Sequence, residues 1–240
     1  MIEFANGQSD SAECERAAAK IADYESTLKD WANLNRYSEA NKKELLKTGD
    51  TKRVVFIGDS ITEGWALDRY FPGKAYIKRG IGGQTTPQML LRFRSDVINL
   101  RPKAVVILAG TNDIAGNTGP MTFEDITGNL TSMAELAKAA NIRVILSSVL
   151  PVNDRVKKTD GSVYVQTSKR PHERIKALND WLRTYAASNK LIYLDYYLAT
   201  ADENGTLKDG LSYDGLHPNA NGYKVMQALA ERAISEALKK

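Results

Sequence analysis

Apolar residues follow two rhythms along this chain of 240 residues. In the first 50 the rhythm is helical. Ile21, Tyr24, Leu28 and Trp31 recur at spacings of 3, 4 and 3 among charged positions, which places them on one helical face. This spacing predicts helix over residues 11–47, an extension whose apolar stripe docks on the main domain or on a second copy of the chain. From Thr51 onward, short runs rich in Val and Ile occur at 54–57, 75–77, 104–109, 143–149 and 191–195. Runs of that length and composition fit parallel strands buried on both faces. Between them lie helical stripes: Met89, Phe93 and Val97; Ile126, Leu130, Met133 and Ala137; Ile175, Leu178, Leu182 and Tyr185; and last Tyr223, Met226, Leu229, Ala233 and Ala237. Five strands alternating with helices predict a three-layer α/β domain with a parallel sheet over residues 51–240, with residues 1–50 as a helical extension packed on it. Such sheets bind ligands beyond the carboxyl ends of their strands, so the residues after each run carry the functional question.

Composition narrows the classes. Hydrophobic residues at 42% and charged residues at 26% match globular averages and argue against disorder. The strongest apolar run, 104–109, is far short of the roughly 18 residues that a membrane helix needs. A single cysteine, Cys14, excludes an internal disulfide framework and a Cys-based zinc site. The net charge of +4 comes without a Lys/Arg block, so no nucleic-acid partner is expected. The first ten residues, MIEFANGQSD, show neither the basic nor the apolar segment of an export signal. No HExxH motif or cysteine cluster calls for a metal, and no cofactor is expected.

The strand ends hold the chemistry. After the first run comes Gly58-Asp59-Ser60-Ile61-Thr62-Glu63-Gly64. A serine at a strand-to-helix turn has an exposed hydroxyl and a backbone N–H at a helix N-terminus, which suits a nucleophile that also steadies an oxyanion. Alone, the motif fits an ordinary N-cap serine equally well. The second run leads into Arg79-Gly80-Ile81-Gly82-Gly83-Gln84-Thr85-Thr86-Pro87. There the glycines allow close backbone approach, and Thr85 or Thr86 can cap a helix whose first turn contains Pro87. The third ends in Gly110-Thr111-Asn112-Asp113, where an asparagine amide is a neutral donor for developing negative charge, or else a turn residue. Near the C-terminus stands Tyr213-Asp214-Gly215-Leu216-His217-Pro218-Asn219. Three residues with a glycine between them let Asp214 fold back onto the Nδ1 of His217, freeing Nε2 as a base. The other histidine, His172, opens a charged helix after Pro171 and reads as a solvated first-turn residue. The stretch 152–170, with Lys157, Lys158, Lys169 and Arg170, reads either as a border of the site or as a solvated loop. A serine, donors and an Asp/His pair gathered at strand ends are the parts for acyl transfer through a serine ester. The G-x-S-x-G elbow is absent around Ser60, where Thr62 takes the fifth position, which argues against the usual α/β-hydrolase fold.

Taken together, Gly58-Asp59-Ser60, Gly82-Gly83, Gly110-Thr111-Asn112-Asp113 and Asp214-Gly215-Leu216-His217, in that order over about 160 residues, resemble the four blocks of the GDSL-type, or SGNH, hydrolases. The resemblance implies a flavodoxin-like fold with a five-stranded parallel sheet. It also implies Ser60 as nucleophile, His217 as base and Asp214 as its orienting acid. The Ser60 N–H, Gly83 and the Asn112 amide would form the oxyanion hole. Gln84 departs from the Gly-Asp common in the second block, which leaves open which of Gly82 and Gly83 donates. The whole chain most resembles bacterial lysophospholipase-like and acetylesterase-like branches. The resemblance and the lack of a long apolar segment favour short acyl groups, acetyl above all, on a small-molecule or carbohydrate ester. A lysophospholipase or thioesterase, acyl transfer to another alcohol, and a non-catalytic binding module of the same fold are the alternatives. The apolar stripe of the extension leaves room for a homodimer.

Overall fold

Strands that are apolar on both faces need a helix layer on each side, and the computed structural model has both. It describes residues 7–47 and 52–239, so the boundary expected at residue 50 and the first six residues lie outside the described residues. In chain order the helices are α1 (Gly7–Lys29), α2 (Ser38–Leu45), α3 (Ser60–Glu63), α4 (Leu67–Tyr70), α5 (Thr86–Asp96), α6 (Thr111–Ile114), α7 (Phe123–Ala139), α8 (His172–Ser188), α9 (Tyr196–Thr200) and α10 (Ala220–Lys239). The strands are β1 (Val54–Gly58), β2 (Tyr76–Gly80), β3 (Ala104–Leu108), β4 (Arg143–Ser147) and β5 (Ile192–Leu194). They form one parallel sheet in the order β2-β1-β3-β4-β5. In this order the winding reverses between β1 and β3, so the loops after these two strands diverge and leave a crevice. Ser60 and Asn112 stand on those loops.

Alternate residues of each strand serve opposite layers. Val55, Ile57, Val105, Ile107, Val144 and Leu146 pack under α5, α7 and α8 against Met89, Phe93, Ile126, Leu130, Met133, Ile175, Leu178 and Leu182. Val54, Phe56, Val106, Leu108 and Ile145 face α10 with Met226, Ala230 and Ile234, joined by Trp65 and Phe71. Met89, Phe93, Val97 and Met133 are wholly inaccessible. Each such side chain contributes about 1.5–3 kcal/mol on burial, which anchors the strand ends beneath the site.

Two expectations change in the structure. β2 runs on through Lys78 and Arg79 to Gly80, because an edge strand tolerates polar positions that can find partners. Arg79 is buried and donates from Nε to Asn41 Oδ1 at 2.8 Å. The N-terminal helix is two helices rather than one. Asp30 accepts from the N–H groups of Leu34 and Asn35 at 2.7 and 3.0 Å, and Asn33 takes φ +56°. A side chain that offers the backbone a turn in this way ends the helix.

The extension's contacts also differ from the expected stripe. Ile21, Tyr24 and Leu28 are exposed. Contact with the α/β body is made by the segment after α1, chiefly through polar groups. Gln88 Nε2 donates to Trp31 O at 2.7 Å, Gln84 Nε2 to Ala32 O at 2.8 Å, and the Tyr37 hydroxyl to Gly80 O. The three acceptor or donor groups lie in a seven-residue span, 31–37, whose turns point them at the second-block loop.

Candidate active site

β1 ends at Gly58, and the chain turns directly into α3. Asp59 caps that helix, its Oδ1 accepting from the Ile61 N–H at 2.9 Å. Ser60 is thus the first helical residue, and its N–H has no acceptor within the helix. Its Oγ lies 2.9 Å from His217 Nε2. On the far side of the ring, Nδ1 is 2.7 Å from Asp214 Oδ2. Asp214 Oδ1 accepts from the backbone N–H groups of Leu216 and His217 at 3.0 and 2.8 Å. An ionised carboxylate only accepts, so the imidazole proton sits on Nδ1 and the Nε2 lone pair faces the serine hydroxyl.

Gly215 permits this turn. It takes φ +81°, and a Cβ there would collide with the Asn153 carbonyl oxygen, while the Asn153 N–H donates to Gly215 O at 3.0 Å. Only glycine combines left-handed backbone with that approach. The loop is closed further by the Tyr213 N–H on His217 O at 3.0 Å.

The electrostatics follow from these contacts. Burial alone would raise the Asp214 pKa, but hydrogen bonds from the His217 ring and from the two backbone N–H groups hold it at about 2. The Asp214 hydrogen bond raises His217 above the ordinary imidazole value, against partial burial and the nearby Arg170 guanidinium. Asp59, next to Ser60, is pushed up to about 6 by complete burial, opposed by its bond from Ile61.

Opposite Ser60 sit the glycines. A methyl on Gly82 would lie 3.7 Å from Ser60 Cβ, so this loop forms the wall facing Ser60. The Gly82 N–H donates to Glu63 Oε2 at 2.8 Å, and Glu63 in turn binds Arg36 at 3.0 Å. With Gly82 engaged, Gly83, at φ +77°, is the glycine of the pair whose N–H has no partner among the described residues. Asn112 is buried in the first turn of α6. One of its Nδ2 protons goes to Gln84 O at 3.1 Å, which leaves the other to donate elsewhere.

Arg170 fixes the sense of that amide. It is 6% exposed, and its Nη2 donates to Asn112 Oδ1 at 3.2 Å, its Nε to Thr111 Oγ1 at 3.1 Å and its Nη1 to Gln166 Oε1 at 3.2 Å. Gln166 Nε2 continues to Asp214 O at 3.1 Å, so one guanidinium connects the asparagine to the histidine loop. Burial lowers the Arg170 pKa, and the Asp59 and Asp214 charges oppose that shift.

Of the positions singled out in the sequence, Ser60, His217 and Asp214 form one hydrogen-bonded chain, and Gly82, Gly83 and Asn112 are linked through Glu63 and Gln84 beside it. His172 stands apart at the start of α8. It is half-buried rather than solvated, with an Nδ1 that has no partner among the described residues. In the 152–170 stretch the three lysines are exposed while Arg170 is buried at the site, so a loop and a site border coexist there.

Sequence reasoning gave no role to Gln84 beyond a departure from pattern. In the structure Gln84 is 2% exposed, its Oε1 accepting from Arg92 Nε at 2.6 Å and its Nε2 donating to Ala32 O. Arg92, itself fully buried, also donates to Gly58 O and Arg79 O at 2.9 Å each. An aspartate could accept from Arg92 but could not donate to Ala32. The glutamine therefore serves the N-terminal segment as well as the sheet. A lone polar exception within a motif was the available signal for it; Arg170 was signalled only as part of the 152–170 stretch read as a site border or a loop, and Glu63 left no signal.

The sequence model of the GDSL-like lipase/acylhydrolase family matches residues 56–225. A GDSL-like lipase from Bacteroides thetaiotaomicron is similar in structure, with 44% identity and a TM-score of 0.76, covering 87% of this chain and all of that one. The alpha1 subunit of platelet-activating factor acetylhydrolase IB from Bos taurus is 28% identical over 80% of this chain and 77% of its own length. An acetylxylan esterase from Geobacillus stearothermophilus shares the fold at 20% identity and a TM-score of 0.62, with 79% and 96% of the two chains covered.

Proposed function

This chain belongs to the GDSL-like lipase/acylhydrolase family and is a hydrolytic serine esterase; from that premise we propose that Ser60, His217 and Asp214 carry its chemistry and that it cleaves short-chain esters, acetyl esters of carbohydrates in particular. The observation that carries the assignment of residues is the continuous hydrogen-bonded chain from Ser60 Oγ through the His217 ring to Asp214, at 2.9 and 2.7 Å.

In the first step Ser60 Oγ attacks the ester carbonyl carbon as its proton passes to His217 Nε2. The carbonyl π electrons move to oxygen, and that oxyanion is met by the N–H groups of Ser60 and Gly83 and by Asn112 Nδ2. Collapse breaks the bond to the alcohol oxygen, which takes the proton back from His217 and leaves acyl-Ser60. A water then loses its proton to His217 and attacks the acyl carbon. Ser60 recovers that proton as the acid departs. Asp214 stays ionised throughout and stabilises the imidazolium. Each oxyanion donor is worth about 10²–10³ in turnover.

The acyl preference rests on two supports. Relatives named for acetyl esters occur in both comparisons, one a platelet-activating factor acetylhydrolase subunit and the other an acetylxylan esterase. The cavity beside Gly82 and Gly83 is walled mainly by polar residues, which suits a hydroxyl-rich alcohol better than a long hydrocarbon tail.

A serine-directed phosphonate, with 4-nitrophenyl esters of two to twelve carbons assayed alongside, tests both parts. The expected result is a single adduct on Ser60 with loss of turnover, and activity that peaks at two to four carbons. An adduct elsewhere sinks the nucleophile. A peak at ten carbons or more turns the substrate class to lysophospholipid or thioester.

A further inference from the structure

Beside the oxyanion glycines lies a cavity of about 860 Å³ that hydrolysis of a simple ester leaves unused. Its floor is Ile81 to Gln84 and its outer wall comes from the N-terminal extension: Asp30, Trp31, Asn33 and Asn35, with Asn117 across from them. We propose that this cavity is the subsite for the sugar of an acetylated carbohydrate, with the Trp31 ring as platform and the Asn33, Asn35 and Asn117 amides as hydroxyl partners. The inference rests on the carbohydrate-ester reading above, and it assigns recognition to a part of the chain outside the four motif blocks.

Position is the first argument. Gly82 and Gly83 are exposed and line this cavity, and Gly82 also faces Ser60, so the cavity adjoins the place where an ester on Ser60 would sit. The second argument is chemical. Among the described residues the side-chain amides of Asn33 and Asn35 have no hydrogen-bond partner, and Asn117 uses only Nδ2, on Gly83 O at 3.0 Å. Neutral amides both donate and accept, as a polyol does. Trp31 is 39% exposed, which leaves part of a large flat ring open beside them. Charge points the same way. Lys29 and Asp30 bring opposite signs to the rim, and Asp30 is already occupied by the Leu34 and Asn35 N–H groups, so no net charge selects an anionic headgroup. Preorganisation is the third argument. Gln84 and Gln88 hold the carbonyls of Ala32 and Trp31 at 2.8 and 2.7 Å, so this wall is fastened to the loop that carries the oxyanion glycines.

The test compares the full chain with Trp31→Ala and, separately, Asn35→Ala. Asn33 is left alone because its φ of +56° would strain an alanine. Each protein is assayed for kcat/KM on 4-nitrophenyl acetate and for acetate release from an acetylated xylo-oligosaccharide. The expected result is 4-nitrophenyl acetate turnover within about twofold of the parent in both variants. On the oligosaccharide, kcat/KM falls about tenfold for Trp31→Ala and about three- to tenfold for Asn35→Ala, the scale of one lost buried contact. Equal losses on both substrates, or no loss on either, overturn the subsite while leaving the carbohydrate reading in place. A parent enzyme that turns over 4-nitrophenyl acetate but releases no acetate from the oligosaccharide overturns the carbohydrate reading and the subsite with it.

Discussion

Replacing Arg170 by methionine removes the charged donor that Asn112 Oδ1 has among the described residues while keeping most of the side-chain volume. Two bonds orient the asparagine: the Arg170 guanidinium on Oδ1 and the Nδ2 donation to Gln84 O. A hydrogen bond to a charged group contributes about 1.5–3 kcal/mol, and a neutral one about 0.5–1.5 kcal/mol. The variant therefore loses the larger constraint and keeps the smaller. The productive amide orientation stays the majority, but it is no longer held rigidly for the oxyanion. The expected loss in kcat is roughly tenfold with KM nearly unchanged, well short of the 10²–10³ expected for Asn112→Ala. Arg170 also lowers the His217 pKa, so its removal moves the acidic limb of the pH profile upward, and the comparison belongs on the plateau above that limb. Steady-state turnover of 4-nitrophenyl acetate by the two single variants and the double variant completes the cycle. Because Arg170 acts through Asn112, Arg170→Met should cost little more in the Asn112→Ala background. A plateau kcat within twofold of the parent, or two losses that multiply independently, would refute the reasoning.

The remaining outcomes follow from other contacts described above. His217 must be neutral to take the serine proton, and the Asp214 hydrogen bond raises its pKa above the ordinary imidazole value, so kcat/KM should fall as pH drops through that raised value. Asp214→Asn removes the main cause of the rise; its limb should shift to lower pH while turnover on the plateau collapses, which a pH–rate series will show. Gly215→Ala forces a Cβ into the Asn153 carbonyl at φ +81°, so the Asp214–His217 loop cannot close; activity should be lost with a fall in stability of more than about 2 kcal/mol by urea titration. Deleting residues 1–29 removes a helix whose apolar stripe is exposed and should leave Tm within about 2 °C. Deleting residues 1–37 also removes the partners of Gln84, Gln88 and Glu63, at about 2–3 kcal/mol, and should lower Tm by about 5–10 °C.

Much of this molecule is written in local pattern. The Val- and Ile-rich runs and the 3.6-residue stripes depend on which faces must leave water, and burial in the sheet and in α5, α7, α8 and α10 follows them closely. The capping box at Thr85 and Gln88, with Pro87 in the first turn, is likewise a property of neighbouring residues. Ser60, Asn112 and the Asp214–His217 pair could be singled out because strand ends in a parallel sheet are gathered by topology, whatever the details of packing.

What lay beyond the sequence were contacts made by polar side chains across long separations. Arg170 looked like one more cation in a basic loop, yet it reaches Thr111 and Asn112 from 59 and 58 positions away. Gln84 reaches back 52 positions to Ala32, and Glu63 joins Gly82 to Arg36. The Ile21–Trp31 stripe shows the converse: its periodicity correctly marked a helix but not what, if anything, would cover it. Helical spacing is a local property of the backbone. The partner of a long, flexible polar side chain is set by which loops the finished sheet brings within hydrogen-bonding distance, and only the assembled fold determines that.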